Sequence, residues 1–185
     1  MDPTVIRAAR ATDATQIALV HVRSWQGAYR GLLPQAYLDG LDPAQRVGLW
    51  ERVLAGAGAG AGPGAGRAGV MVADADGALR GFAGFSPSRD DDADQDRVGE
   101  ITALYLLPVA WGTGTGGRLM GAALGCLVQA GFSEATLWVL DTNARARRFY
   151  EAGGWFADGA EMLDESRGFP ITEVRYRRSL ASSAL

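Results

Sequence analysis

Apolar positions along this chain follow two rhythms, and the order in which the rhythms alternate predicts the architecture. Ile17, Val20, His21 and Ser24 recur at intervals of three or four, the spacing of one helical face. They predict a first helix that ends near Tyr29, with Asp13 and Gln16 as a capping pair at its start. Gly31 and Pro34 interrupt the pattern. It resumes with Leu38, Leu41, Val47, Leu49, Trp50 and Val53, a second helix that begins at Pro34 or Pro43 and ends near Leu54. The other rhythm is the short apolar run bounded by turn residues. Residues 4–8 predict a first strand, and 70–73 with 79–85 predict a hairpin around Asp76-Gly77, a dipeptide suited to tight turns. Residues 100–107 predict a central strand and 114–130 a helix. Residues 135–140 predict a strand parallel to the central one, because a strand–helix–strand unit crosses over right-handed. Residues 143–152 read as a further helix, and 155–157 and 171–178 as two closing strands. The result is a single α/β domain over residues 1–185, a mixed and mostly antiparallel sheet flanked by helices.

Two stretches carry neither rhythm. Residues 55–69 are almost pure Gly and Ala with one Pro, too little apolar surface to offset the entropy of ordering, and predict a flexible surface loop. Residues 88–97 predict an acidic, mobile loop. A chain of 185 residues is long enough to bury a real core. Its net charge of −3 argues against a broad nucleic-acid footprint. No apolar run approaches the length of a membrane span, and the first ten residues lack the apolar core of a signal peptide. Cys126 stands alone, which excludes an internal disulfide and suits a reducing compartment, so a cytoplasmic protein is expected. All 18 basic residues are Arg, and Gly and Ala are abundant, a composition that looks like the coding bias of a GC-rich bacterial genome. His21 is the only histidine, so no His-based metal cluster is expected, and on an amphipathic helix it reads as a packed or surface residue. Cys126, among Leu124, Leu127 and Val128, reads as a buried core thiol.

The chemistry concentrates where the central strand ends. After Pro108 come Trp111, Gly112, Thr113, Gly114, Thr115, Gly116 and Gly117, and then the helix. Glycines let an anion approach the main chain closely, and the helix start points free N–H groups and a positive dipole end at the same spot. Together these make a phosphate or pyrophosphate site. A Walker-type loop needs a Lys after the last Gly, and the chain has no Lys. A dinucleotide fingerprint is formally present as Gly112, Gly114 and Gly117. That fold wants an acidic residue at the end of the next strand; Glu134 is at the wrong end, whereas Asp141 is a candidate. The third ligand is coenzyme A.

Residues 104–117 together with Asn143, Ala146, Phe149, Tyr150, Gly154 and Trp155 resemble the GNAT superfamily of acyl-CoA-dependent N-acyltransferases, with both motifs in family order and spacing. Gly114 and Gly116 fill the glycine positions, and Trp111 stands where Gln or Arg is usual. The resemblance implies a GNAT-like domain that moves an acetyl group from acetyl-CoA directly to a primary amine of a small molecule or protein. It implies that the main chain of Gly112, Thr113, Gly114, Thr115, Gly116 and Gly117 takes the pyrophosphate. Main-chain groups of Leu104 and Leu106, with Asn143, should bond the pantetheine arm where the two parallel strands splay. Asn143 reads equally as a helix N-cap. Tyr150 is implied as the general acid, beside a plain reading as a half-buried core aromatic. Glu100 is the candidate base, its pKa raised by desolvation at the start of an apolar strand; it also reads as an ordinary charge at a strand start. The acceptor site is implied between the first two helices, the central strand and the segment before the last strand. Trp25, Tyr29 and Tyr37, with Glu161, Asp164 and Glu165, would then form an aromatic and acidic wall for a cationic amine. Their bland reading is core aromatics and a solvated acidic loop. At Trp111 two readings stand: it packs while main-chain donors carry the phosphate, or it weakens the site. No nucleic-acid or membrane partner is expected, and a homodimer stays open. Two other classes remain, a non-catalytic CoA-binding regulatory module and a dinucleotide-binding oxidoreductase.

Overall fold

Asp76 and Gly77 both adopt positive φ, 52° and 84°, the geometry of a tight hairpin turn. A computed structural model describes residues 4–56 and 66–180. The turn joins β2 (Gly69–Ala75) to β3 (Ala78–Pro87). With β1 (Val5–Ala8), β4 (Val98–Leu106), β5 (Glu134–Leu140), β6 (Phe156–Asp164) and β7 (Ile171–Ser179) they form one sheet in the order β1-β2-β3-β4-β5-β7-β6. Every pairing is antiparallel except β4 with β5. The helices are α1 (Ala14–Ala28), α2 (Gln35–Asp39), α3 (Ala44–Gly56), α4 (Thr115–Gln129) and α5 (Ala144–Ala152).

The sheet is covered on both faces. On one, Leu119, Ala123 and Leu127 of α4 pack with Ile101, Leu137, Val139, Tyr150 and Tyr176. On the other, Ile17, Ala18 and Val20 of α1 and Trp50 and Leu54 of α3 pack on Val72 and Phe82. Each fully buried Leu or Ile contributes about 1.5–3 kcal/mol, so these two layers hold the sheet.

Parallel pairing of β4 with β5 is brief: only Val98, Glu100 and the residue between them meet Glu134 to Thr136. Beyond that point the strands part. The cause lies on the other side of β4. Its register with β3 passes from Phe85 opposite Ile101 to Gly84 opposite Ala103, leaving Thr102 as a bulge. Gly84 makes room for it, since a Cβ there would lie 2.7 Å from the Thr102 hydroxyl.

Several expectations are corrected. Of the two starts offered for the second helix, Pro43 holds and Pro34 does not: α3 begins at Ala44, and the residues after Pro34 form the separate short α2, because Gly40 and Pro43 break the run. Leu49 and Val53 are 37% and 38% exposed, since α3 turns Trp50 and Leu54 to the core instead. Asp13 and Gln16 do not cap together. A 3-10 turn precedes α1, and the Asp13 carboxylate accepts from the Arg10 N–H at 2.7 Å and pairs with Arg7 at 2.7 Å. Gln16 instead donates to the Gly77 carbonyl and accepts from the Leu79 N–H. The first closing strand is longer than expected and runs to Asp164, with an irregularity after Ala157. Of the Gly/Ala segment, Ala55 and Gly56 finish α3 and Gly69 opens β2, while 57–65 lie outside the described residues.

The acidic 88–97 segment is tied down rather than loose. Asp90 accepts from the Trp138 indole at 2.9 Å, and the buried Arg175 guanidinium pairs with Asp90, Asp92 and Asp158. Burial opposes the Asp158 charge, yet the Ala160 N–H and Arg175 hold its carboxyl below the usual range. Arg175→Met should therefore destabilise the fold by about 3–5 kcal/mol, the cost of leaving buried carboxylates unpaired. A lowered carboxyl pKa gives stability that is present above the unfolded value and lost as pH falls through the folded one. The gap between wild type and variant, measured by urea unfolding, should thus narrow once the pH drops below about 4. An equal gap at neutral and acid pH would show that Arg175 acts through packing.

Candidate functional site

β4 ends at Leu106, and Pro108 starts a 3-10 turn, Pro108–Ala110. Gly112 and Gly114 follow at φ 73° and 84°, left-handed conformations that other residues rarely adopt. Gly114 is the N-cap of α4. The first-turn N–H groups of Thr115, Gly116 and Gly117 therefore face outward without intrahelical acceptors. Thr113 donates its hydroxyl proton to the Ala110 carbonyl at 2.9 Å and lies 2.8 Å from the Thr115 hydroxyl. These two threonine side chains fasten the turn and do not line the cavity beside it.

Trp111 packs. Its indole N–H donates to the Leu106 carbonyl at 3.0 Å, and its ring approaches α1 at Gly27. The Arg145 guanidinium of α5 lies 3.7 Å over the same ring. The positive charge that Trp111 lacks is thus brought by Arg145. The same bond leaves the Leu106 carbonyl already engaged, so Leu104 is the freer of the two expected main-chain partners.

A cavity of about 360 Å³ starts at this turn and passes between β4 and β5. Leu104, Leu106, Gly112, Gly114, Gly116, Gly117, Asn143 and Tyr150 all line it, and so do Arg145 and Tyr29. Asn143 is the N-cap of α5: its Oδ1 accepts from the Ala146 N–H at 3.1 Å, which leaves its amide N–H₂ to donate. Tyr150 is buried, and that burial, with Tyr105 nearby, pushes its phenol well above the ordinary range. Among the described residues its hydroxyl has no hydrogen-bond partner.

A smaller chamber of about 220 Å³ adjoins the first through Tyr29, Thr102, Tyr105 and Trp138. Trp25 and Tyr29 are both there, as expected, while Tyr37 lines a neighbouring groove. The expected acids are not. Glu161 and Glu165 are exposed and Asp164 pairs with Arg167. Alternation along β6 turns Glu161 away from the face on which Met162 lines the chamber, Glu165 lies in the exposed turn beyond, and the chamber's carboxylates are Glu100 and Glu173. Glu100 is buried, but not in apolar surroundings. Arg89 grips it through Nη2 at 2.6 Å and Nε at 3.1 Å, and the Arg89 main-chain N–H adds a third bond at 3.2 Å. Both carboxylate oxygens of the expected base are thus occupied by Arg89. Glu173 has no such partner among the described residues; burial pushes its carboxyl up, Arg167 opposes this and Glu100 adds to it.

Glu173 and Arg145 escaped the sequence reading. Both had a signal. Ile171, Glu173 and Arg175 share one face of a two-residue alternation, and Arg145 falls in the first turn of the helix that Asn143 caps. Asp141, the candidate for a dinucleotide ribose, pairs with Arg147 at 2.6 Å. Cys126 is half-buried beside the α4 core, and burial pushes its thiol up.

Comparison with known proteins agrees with this geometry. Residues 36–155 match the acetyltransferase (GNAT) family. An uncharacterized N-acetyltransferase of Bacillus subtilis is 34% identical over 149 residues, 80% of this chain and 77% of its own. A probable N-acetyltransferase of Mycobacterium tuberculosis is 30% identical over 175 residues, 93% of this chain and 91% of its own. Among solved structures, the PaiA N-acetyltransferase of Thermoplasma acidophilum in complex with coenzyme A has a TM-score of 0.71 at 19% identity, covering 95% of this chain and 98% of that one. A Salmonella typhimurium acetyltransferase with acetyl-CoA has a TM-score of 0.69 at 19% identity, covering 98% and 96%. These two likenesses are of fold.

His21 sits behind the chamber, stacked on Tyr105 at 5.2 Å and accepting from the Trp50 indole at 3.3 Å. Burial, helped by Arg46, lowers its pKa from 6.5 to about 4. A His held neutral in this way gives stability that is complete above the unfolded value and lost as pH falls towards the folded one. The loss should reach about 3 kcal/mol. His21→Asn keeps an acceptor near the Trp50 indole but cannot titrate. Urea unfolding from neutral to mildly acidic pH should show wild type losing this increment and the variant not. Parallel losses in the two proteins would assign the acid sensitivity elsewhere.

Proposed function

The chain belongs to the acetyltransferase (GNAT) family and is an N-acetyltransferase, and from that premise we propose that acetyl-CoA lies across the opening between β4 and β5 and that the acetyl group passes directly to a primary amine of a small molecule or protein. One observation carries this: the glycine turn and the strand opening line one cavity, with Tyr150 in its wall, and the aromatic chamber adjoins it through Tyr29, Thr102, Tyr105 and Trp138. When bound, acetyl-CoA supplies an activated acyl carbon and a thiolate leaving group. The residues present fit it. Main-chain N–H groups of Gly114, Gly116 and Gly117 and the dipole end of α4 suit a pyrophosphate, while the Thr115 N–H turns to the Thr113 hydroxyl. Arg145, held flat on Trp111, adds a cation beside the turn. The exposed edge of β4 at Leu104 and the free Asn143 amide suit the amide groups of the pantetheine arm. Tyr150 keeps its proton at neutral pH and lines the cavity, which supports its giving that proton to sulfur as the C–S bond breaks. The single thiol, Cys126, fits a reducing compartment, which supports a cytoplasmic location.

Acetyl-CoA at about 100 times its dissociation constant should stabilise the protein by roughly 2.7 kcal/mol. Gly114→Asp sets a negative charge at the turn, and Asp tolerates the left-handed conformation better than most residues. The variant should fold yet show no rise in Tm with acetyl-CoA. A rise equal to that of wild type would place the ligand elsewhere.

Tyr150→Phe removes only a hydroxyl. It should leave acetyl-CoA affinity intact and slow turnover by about 10²–10⁴-fold where chemistry limits the rate. An unchanged kcat would return Tyr150 to the role of a core aromatic, in keeping with its burial beside Trp155 and Tyr176.

A further inference from the structure

The chamber next to the cavity holds more charge than it first presents, and nearly all of it is neutralised in place. Glu100 of β4 is bound three times by Arg89, from the loop after β3. Arg167, from the turn between β6 and β7, pairs with Asp164 and reaches within 5.5 Å of the Trp25 ring. Arg175, two residues along β7, is engaged by Asp90, Asp92 and Asp158. From β5 the chamber receives Trp138 and Leu140, from β6 Met162, from α1 Trp25 and from its C-cap Tyr29, none of them charged. The remainder is one carboxylate, Glu173, which lines the chamber with no hydrogen-bond or ion-pair partner among the described residues.

The walls around it are aromatic. Trp25 and Tyr29 meet at 5.0 Å and Trp25 and Tyr105 at 6.1 Å, with Trp138 across from them. Among the described residues the buried Trp25 indole N–H meets no acceptor at good hydrogen-bond geometry, although the Tyr105 hydroxyl is close enough to interact with it. Leaving a buried donor unsatisfied costs about 1–3 kcal/mol, so an acceptor atom supplied by a ligand fits there. A lone negative charge among ring faces attracts an ammonium group, through charge and through the faces themselves.

We propose that Glu173 is the catalytic base of this enzyme, taking the proton from a cationic primary amine that binds with a flat, apolar body between Trp25, Tyr29 and Trp138. The inference rests on the acetyl-CoA reading given above. Glu173 takes one proton from the ammonium group and passes it to solvent. The freed nitrogen lone pair then attacks the thioester carbonyl carbon. The C–N bond forms and the C–S bond breaks, Tyr150 gives its proton to the departing sulfur, and the proton shed by the new amide nitrogen restores the phenol through solvent. Desolvation suits Glu173 to this task, since burial pushes its carboxyl up towards the working pH, with Glu100 adding to the rise and Arg167 opposing it. Glu100, by contrast, serves to hold Arg89 at the chamber wall.

Phenethylamine is a suitable probe, a primary amine on a flat apolar body. Thiol release from acetyl-CoA should be followed across the pH range on either side of neutrality. Glu173→Gln should lower kcat/KM by about 10²–10⁴-fold and abolish the acid limb of the profile. Acetyl-CoA affinity by calorimetry should not change, and Glu173→Asp should restore part of the rate. An undiminished rate with an intact acid limb overturns the proposal, as does loss of that limb in Glu100→Gln but not in Glu173→Gln. If wild type leaves phenethylamine unmodified, the proposed acceptor body is overturned. The base itself is then read without any acceptor, by infrared difference titration of wild type against Glu173→Gln. A carboxyl band titrating at or below the ordinary glutamate value overturns Glu173 as base. Failure of acetyl-CoA to bind any of these proteins overturns the cofactor reading instead, a separate result.

Discussion

A parallel pairing that stops after three residues is the constraint on which this molecule turns. A sheet interior normally satisfies every backbone N–H and C=O, because an unpaired buried group costs as much as a lost hydrogen bond. β4 and β5 pair only as far as Glu100 and Thr136, and then part in the middle of a seven-stranded sheet. Main-chain groups at Leu104 are left facing a cavity. A sheet can hold such a gap only if its two halves are fixed independently. The β1–β4 half is fixed by α1 and α3 packed on Val72 and Phe82. The β5–β7 half is fixed by Leu137, Val139 and Tyr176, which share a core with α4. α4 also touches Ile101 and Ala83, so it bridges the halves behind the gap. The bulge at Thr102, made possible by Gly84, turns β4 away and sets where the opening begins.

Electrostatics repeat the same division of labour. The chain has arginine as its only permanent cation, and the structure uses most of those near the site as clamps. Arg175 fastens the 88–92 segment to the sheet, and Arg89 fastens that segment to Glu100. Arg167 closes the β6–β7 turn on Asp164. Each guanidinium satisfies several acceptors at once, which its planar fork allows and an ammonium would not. Two charged groups beside the path are left over, one at each end: Arg145 at the glycine turn and Glu173 in the chamber. A path with a cation at one end and an anion at the other suits an anionic donor entering from the first side and a cationic acceptor from the second.

Much of this was legible in the sequence where local chemistry decides. The Asp76-Gly77 turn, the glycine turn and the α5 cap at Asn143 each depend on a residue type that few others can replace, and each is where its sequence put it. The order of strands and helices followed from periodicity. What was not legible depends on partners distant in sequence. Glu100 looked like a desolvated carboxylate because its strand is apolar, but Arg89 reaches it from across the 88–97 segment. Asp90 and Asp92 looked like a solvated acid run because nothing nearby in sequence pairs with them; Arg175 lies more than 80 residues away. Glu161, Asp164 and Glu165 were put near the acceptor by the family resemblance, whereas Glu161 and Glu165 are exposed, Asp164 is taken up by Arg167, and it is β7 that turns a carboxylate inward.

Trp111 shows how such a departure is absorbed. A side chain at this position sits beside the anion-binding turn, and the usual Gln or Arg offers donors there. Indole has a single N–H, and here it is turned back to the Leu106 carbonyl. Taken alone, the change would remove donors from the site. Two features of the surroundings offset it. The principal donors are main-chain N–H groups, whose direction is set by Gly112 and Gly114 in left-handed conformations and is indifferent to the neighbouring side chain. The broad ring also makes a platform that an Arg at 111 could not provide. On it lies Arg145, its guanidinium stacked at 3.7 Å with its edge N–H groups free. The cation arrives from α5 rather than from the turn itself, so the turn, α5 and the end of β4 are joined through one side chain. The bond to Leu106 fixes that platform to the strand that borders the opening, and the geometry of the anion end is thereby tied to the place where the sheet parts.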